Sequence, residues 1–151
     1  MANTQAMCTS FKGELLTGTH NFGAAPIRAA TTADTFKAAL YLASATVNAT
    51  TTAYSATNEV SGTGYTAGGI NVTNATAPTT SGTTGYWTPS ASLVYTTVTL
   101  TTAFDAVLIY NSTQGNKAVS VHTFGSQTVT AGTFTLTMPA NAAGTALLNI
   151  A

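Results

Sequence analysis

Few side chains in this 151-residue chain are able to do chemistry. They are Lys12, Glu14, His20, Arg28, Asp34, Lys37, Glu59, Asp105, Lys117, His122, six tyrosines and Cys8. A hydrolytic relay would draw on His122 and Asp105, with serine as nucleophile. Nothing around Ser120 or Ser126 forms the G-x-S-x-G elbow, and His122 on a half-buried strand reads as a packed residue. Paired carboxylates for glycoside cleavage would have to come from Glu14, Asp34, Glu59 and Asp105, and no spacing pairs them. Two histidines roughly a hundred residues apart and one cysteine give no metal-ligand cluster, and no Asp-rich loop suggests calcium. Gly62-x-Gly64-x-x-x-Gly68-Gly69 invites a phosphate-loop reading. The strand-like Ile70-Asn-Val-Thr73 follows it where a helix is needed, so it reads as a wide glycine turn between strands. Tyr86-Trp87, with Tyr65 and Tyr95, offers either an aromatic platform for sugars or a core anchor, and the core reading is preferred. The chain is expected to be a non-enzyme with no cofactor and no metal.

Composition narrows the classes further. Charged residues are 5% of the chain, four basic against four acidic, where about 25% is usual. That argues against a phosphate-binding surface, so no nucleic-acid partner is expected. Polarity comes instead from 34 threonines. A near-neutral, threonine-rich surface favours association. The longest apolar stretch, Ala38–Ala43, is far short of the roughly 20 residues that span a bilayer, so no membrane is expected either. Cys8 is alone and permits no intrachain disulfide. Residues 1–8 have no signal-peptide pattern, which implies synthesis and folding in a cytosol, and the sequons at Asn48, Asn71, Asn74 and Asn111 read as chance matches.

The elements that would position any site are strands. Alternation is strict in Thr133–Met138, with Phe134, Leu136 and Met138 inward, and Pro139 ends the run. Residues 104–110, 117–123, 92–100, 70–73 and 145–151 read as further strands. Residues 34–43 fit either helix or strand, and the alternation of Phe36, Ala38, Leu40 and Leu42 favours strand. Turns are expected at 62–69, 78–85, 111–116 and Gly125-Ser126. No other segment sustains a helical period. The fold class is therefore all-β, a single β-sandwich or jelly roll over 31–151 with an extended N-terminal arm over 1–30. Sparse apolar residues on that arm, Phe11, Leu15, Leu16 and Phe22, are the candidate partner-binding anchors. The alternative is that the segment packs back on its own sandwich as an edge strand.

Glu59-Val-Ser-Gly-Thr-Gly-Tyr-Thr-Ala-Gly-Gly69, together with Phe36–Tyr41, Val107–Asn111 and Phe134–Pro139, resembles a group of small β-rich structural proteins of tailed bacteriophages. The similarity covers roughly residues 34–140. It implies a virion component of the capsid cement or decoration type, on the head surface, with the major capsid protein and copies of itself (a dimer or trimer) as partners. It brings no catalytic residue. A tail or neck protein with a glycan- or receptor-binding role is the alternative.

Overall fold

The computed structural model describes residues 3–16, 18–22, 33–73 and 77–151, side chains at 12, 13 and 16 excepted. Its described part is almost entirely β and forms two antiparallel sheets in a sandwich-like arrangement. The elements in chain order are β1 (Ala6–Met7), α1 (Thr9–Leu16), β2 (Phe36–Leu42), β3 (Ile70–Asn71), β4 (Thr79–Ser81), β5 (Thr84–Trp87), β6 (Leu93–Asn111), β7 (Lys117–Leu136) and β8 (Leu148–Ile150). The larger sheet runs β1-β7-β6-β2-β3 and the smaller β4-β5-β8.

Within residues 34–43, Phe36–Leu42 form a strand and no helix. β2 lies between β6 and β3 and is buried on both faces, so Phe36, Ala38, Ala39, Leu40 and Tyr41 all enter the core. Its outer edge is completed by the loop that follows: Val60 N–H donates to the Leu40 carbonyl, and Tyr41 bridges to Glu59.

The runs at 92–100 and 104–110 are one strand, not two, as are 117–123 and 133–136. The register between β6 and β7 slips five times along their length. Two slips flank Phe104: it pairs with Gln127, whereas Leu100 pairs with Val129 and Ala106 with Thr123. Extra residues thus accumulate at 101–103 on β6 and at 124–126 on β7. Gly125-Ser126, expected as a turn, is therefore a bulge inside β7, because bulges bend a ribbon without ending its pairing. The bend brings the ribbon's two halves face to face. Phe104 meets Phe124 and Phe134 with ring centroids 6.0 and 5.0 Å apart, and Leu93 and Leu136 share a cavity wall with Val107, Ile109 and His122.

The turn at 111–116 forms as expected. Asn111 Oδ1 accepts the N–H groups of Thr113 and Gln114, and Gly115 and Asn116 take positive φ. The expected loop at 78–85 is instead the hairpin β4–β5, whose only unpaired residues are Gly82 and Thr83. Gly82 alone of the two has positive φ, the type II′ pattern that suits two-residue hairpins.

The N-terminal segment differs most from expectation. The described residues of 3–22 do not extend away but pack on the sandwich, β1 pairing with Val121 and Ser120 of β7. This is the edge-strand alternative with a helix added. α1 places Phe11 and Leu15 one turn apart and ends in a Schellman cap. Gly18 at φ +65 bonds to the Leu15 carbonyl, and Thr19 N–H donates to the Glu14 carbonyl.

Candidate functional site

Three of the four anchor residues read from the sequence, Phe11, Leu15 and Phe22, gather at one seam, but on the inside. Phe11 and Phe22 are buried, at 1% and 6% exposure, and Leu15 is half-buried. Leu16 closes α1, and its side chain lies outside the described residues, as do residues 23–30 of the expected arm. Phe22 stacks on Phe36 at 4.3 Å and meets Trp87 at 4.7 Å, while Phe11 meets Phe22 at 5.9 Å. Phe11, Leu15 and Phe22 line a cavity of about 220 Å³ with Trp87, Leu148 and Ile150 of the small sheet. Phe11 and Phe22, read from the sequence as partner-binding anchors, are thus placed against this chain's own sandwich. Burying each such ring is worth roughly 1.5–3 kcal/mol, and residues of this chain line the pocket that receives them.

Cys8 reports on that packing. It is fully buried, and burial, with the Glu14 carboxylate beside it, pushes its thiol up to about 11. Only thiolate reacts with thiol reagents. Native protein at pH 8 is expected to leave Cys8 unlabelled by a disulfide reagent over hours, with stoichiometric reaction in denaturant. Prompt labelling of the native chain would mean that residues 3–22 are undocked.

A polar network fastens the same segment to the large sheet. His20 Nε2 lies 2.7 Å from Glu14 Oε2, and Lys117 Nζ lies 2.6 Å from Glu14 Oε1. Asn111 Nδ2 donates to His20 Nδ1 at 3.0 Å and to Asp34 Oδ2 at 2.8 Å. Asp34 also accepts from Asn21 N–H at 2.9 Å and from Gln114 Nε2 at 3.0 Å. This fixes His20 as the neutral tautomer with its proton on Nε2. A carboxylate–imidazole–amide–carboxylate row superficially suits proton transfer. Here both imidazole nitrogens are already bonded and the ring is wholly inaccessible, so no substrate proton reaches it. Burial pushes His20 down, against the pull of Glu14 and Asp34. Burial pushes Glu14 up, and Lys117 and His20 together bring it below its ordinary value.

A second network explains the glycine-rich string. Glu59 is buried and accepts three hydrogen bonds: Tyr54 hydroxyl at 2.7 Å, Tyr65 hydroxyl at 2.7 Å and Gly68 N–H at 2.8 Å. Leu40 N–H donates to the Tyr65 hydroxyl, and Tyr110 donates to the Gly68 carbonyl. A side chain at Gly62 or Gly64 would come within 2.0 or 2.2 Å of the carbonyls of Thr99 and Thr97, so the loop lies directly on β6. Burial, reinforced by Glu59, raises the phenols of Tyr54, Tyr65, Tyr95 and Tyr110 above their ordinary value. The string is a clasp, with no phosphate cradle.

The remaining candidates stay apart. His122 bonds to Ser120 Oγ at 2.9 Å, and Asp105 accepts from Asn3 Nδ2. Trp87 is buried against Phe22 and Phe36, so the aromatic platform does not form there. Among the described residues no group of three His, Cys, Asp or Glu side chains is placed to hold a metal, and no helix is long and apolar enough to cross a membrane. All four carboxylates of the chain, Glu14, Asp34, Glu59 and Asp105, accept hydrogen bonds from internal partners. Asn111 and Gln114 were not legible as network members, since their partners lie far off in sequence.

Acid should loosen this structure. His20 and His122 are both lowered in the folded state, His122 to about 4 by burial. A lowered histidine contributes stability that is complete above about pH 6.5 and lost as pH falls through its folded value. Glu14, also lowered, adds to the loss at still lower pH. Urea midpoints are expected to fall from pH 7.5 to pH 4.5, with a stability loss on the order of 2 kcal/mol. A flat profile across that window would contradict the burial of both rings.

Comparison with known proteins gives no match: no family model, no curated protein and no solved structure is similar to the chain.

Proposed function

We propose that this protein is a non-enzymatic structural component of a phage virion, most specifically a cement or decoration protein. In this reading it binds the outside of the head and bridges capsomers. The observation that carries the reading is the fate of the charges. The chain has few, and all four acids are engaged with internal partners. What remains outside is largely threonine, alanine and glycine. Such a surface is cheap to desolvate against a neighbouring subunit, where unpaired charges are costly. The resemblance of residues 34–140 to small phage structural proteins points the same way, with the major capsid protein and further copies of the chain as partners.

Attachment to heads then rests on apolar burial and backbone hydrogen bonds. Screening acts on charge pairs, so raising salt from 0.05 to 0.5 M should shift head binding less than about threefold. The test is co-sedimentation of the purified protein with heads that lack it. Release by moderate salt alone would make the interface electrostatic and overturn the reading.

A further inference from the structure

The two outer edges of the β6–β7 ribbon are treated differently. On the β6 side, the Gly62–Gly64 loop lies against Thr97–Thr99, with Thr63 bridging to Thr99. On the β7 side, β1 covers only Ser120 and Val121, and no described strand continues along β7 to Leu136. Natural sheets guard such an edge with charges, proline or bulges. Between Thr123 and Leu136 there is no charged residue and no proline. Bulges disturb β7 at 124–126 and near Ala131, but the pairing of Leu93, Val94 and Tyr95 with Leu136, Thr135 and Phe134 is regular. The stretch Thr133–Leu136 is therefore regularly paired and neutral, and no described strand pairs with its outer edge.

We infer that this edge pairs with the same edge of a second copy, antiparallel and two-fold symmetric about Thr135. The sequence is self-complementary in that register. Thr133 meets Thr137, Phe134 meets Leu136, and Thr135 meets its own copy, so hydroxyls face hydroxyls and apolar side chains face apolar ones. Thr–Thr and apolar cross-strand pairs are favourable, and no like charges oppose. Exposed Thr133, Thr135 and Thr137 lie on one side, next to Val94, which is 42% exposed although apolar. Phe134 and Leu136 lie half-buried on the other. The partner strand would extend both faces, as in other cases of strand addition. This deepens the self-association included in the proposed function by naming its surface.

Sedimentation equilibrium of the full chain is expected to show a monomer–dimer equilibrium. Thr135→Lys, which sets two ammonium groups opposite each other at the axis, should weaken it at least about tenfold, or roughly 1.4 kcal/mol. Thr128→Lys, outside the paired stretch, should leave it unchanged. Thr135→Cys should give a disulfide-linked dimer on mild oxidation, while Thr128→Cys should not; this variant decides the matter if Thr135→Lys does not fold. A monomer at all concentrations, a trimer, or a dimer indifferent to Thr135→Lys would overturn the inference. Head binding measured separately keeps the two claims distinct. Dimerisation without head binding fails the virion reading alone, and head binding by a strict monomer fails this one alone.

Discussion

Glu59→Ala is expected to destabilise the protein by about 4 kcal/mol, enough to unfold much of the population of a marginally stable domain. The substitution strands the Tyr54 and Tyr65 hydroxyls and the Gly68 N–H, all within 2.8 Å of the lost carboxylate. Each unsatisfied buried donor costs about 1–3 kcal/mol. The loss also propagates, because Tyr65 carries the Leu40 N–H and Gly68 carries the Tyr110 hydroxyl. Glu59→Gln should cost about half as much: its amide oxygen still accepts, and a rotated Tyr54 hydroxyl can receive its amide hydrogen. Urea denaturation of the three proteins measures this. An alanine variant within 1 kcal/mol of the parent would mean that the clasp does not hold the loop.

Gly69→Ala should be at least as damaging, for a steric reason. Gly69 has φ +71, and a Cβ there would stand 1.7 Å from the Ala38 carbonyl oxygen and 2.5 Å from its carbon. Those atoms are backbone of β2, in the middle of the sheet, and cannot swing aside as a side chain would. A loss above about 4 kcal/mol, or failure to fold, is expected. Two other glycines calibrate it. Gly82 has φ +58 but open space around it, so Gly82→Ala should cost only about 1 kcal/mol. Gly125 has neither constraint, and Gly125→Ala should stay within about 0.5 kcal/mol of the parent. If Gly69→Ala behaved like Gly82→Ala, the close approach of loop and strand would be wrong.

The strands were readable because alternation survives without context. Phe134, Leu136 and Met138 point inward and their threonine neighbours outward, as their order implies. The long ribbon was not readable as one piece. Thr101-Thr102-Ala103 and Gly125-Ser126 interrupt the alternation, and a turn and a bulge break that pattern identically; pairing across the ribbon distinguishes them. α1 had a signal in Phe11, Leu15 and Gly18, an apolar i, i+4 pair before a capping glycine. Gly13 and the surrounding threonines, poor helix formers, obscured it. Phe11, Leu15 and Phe22 read from the sequence as apolar side chains needing a pocket, but a sequence does not say whose pocket. The polar networks were beyond reach because Glu14 and Lys117 are 103 positions apart and Asp34 and Asn111 are 77 apart. Local spacing carries no trace of such contacts.

The proposal that a charge-poor, internally satisfied sandwich serves as head cement is tested most directly by counting copies. Quantitative immunoblotting of purified virions, calibrated with the pure chain, gives that count. Hundreds of copies per particle, retained on tailless heads, are the predicted result. Absence from virions, or a count of three, six or twelve that follows the tails, would contradict it.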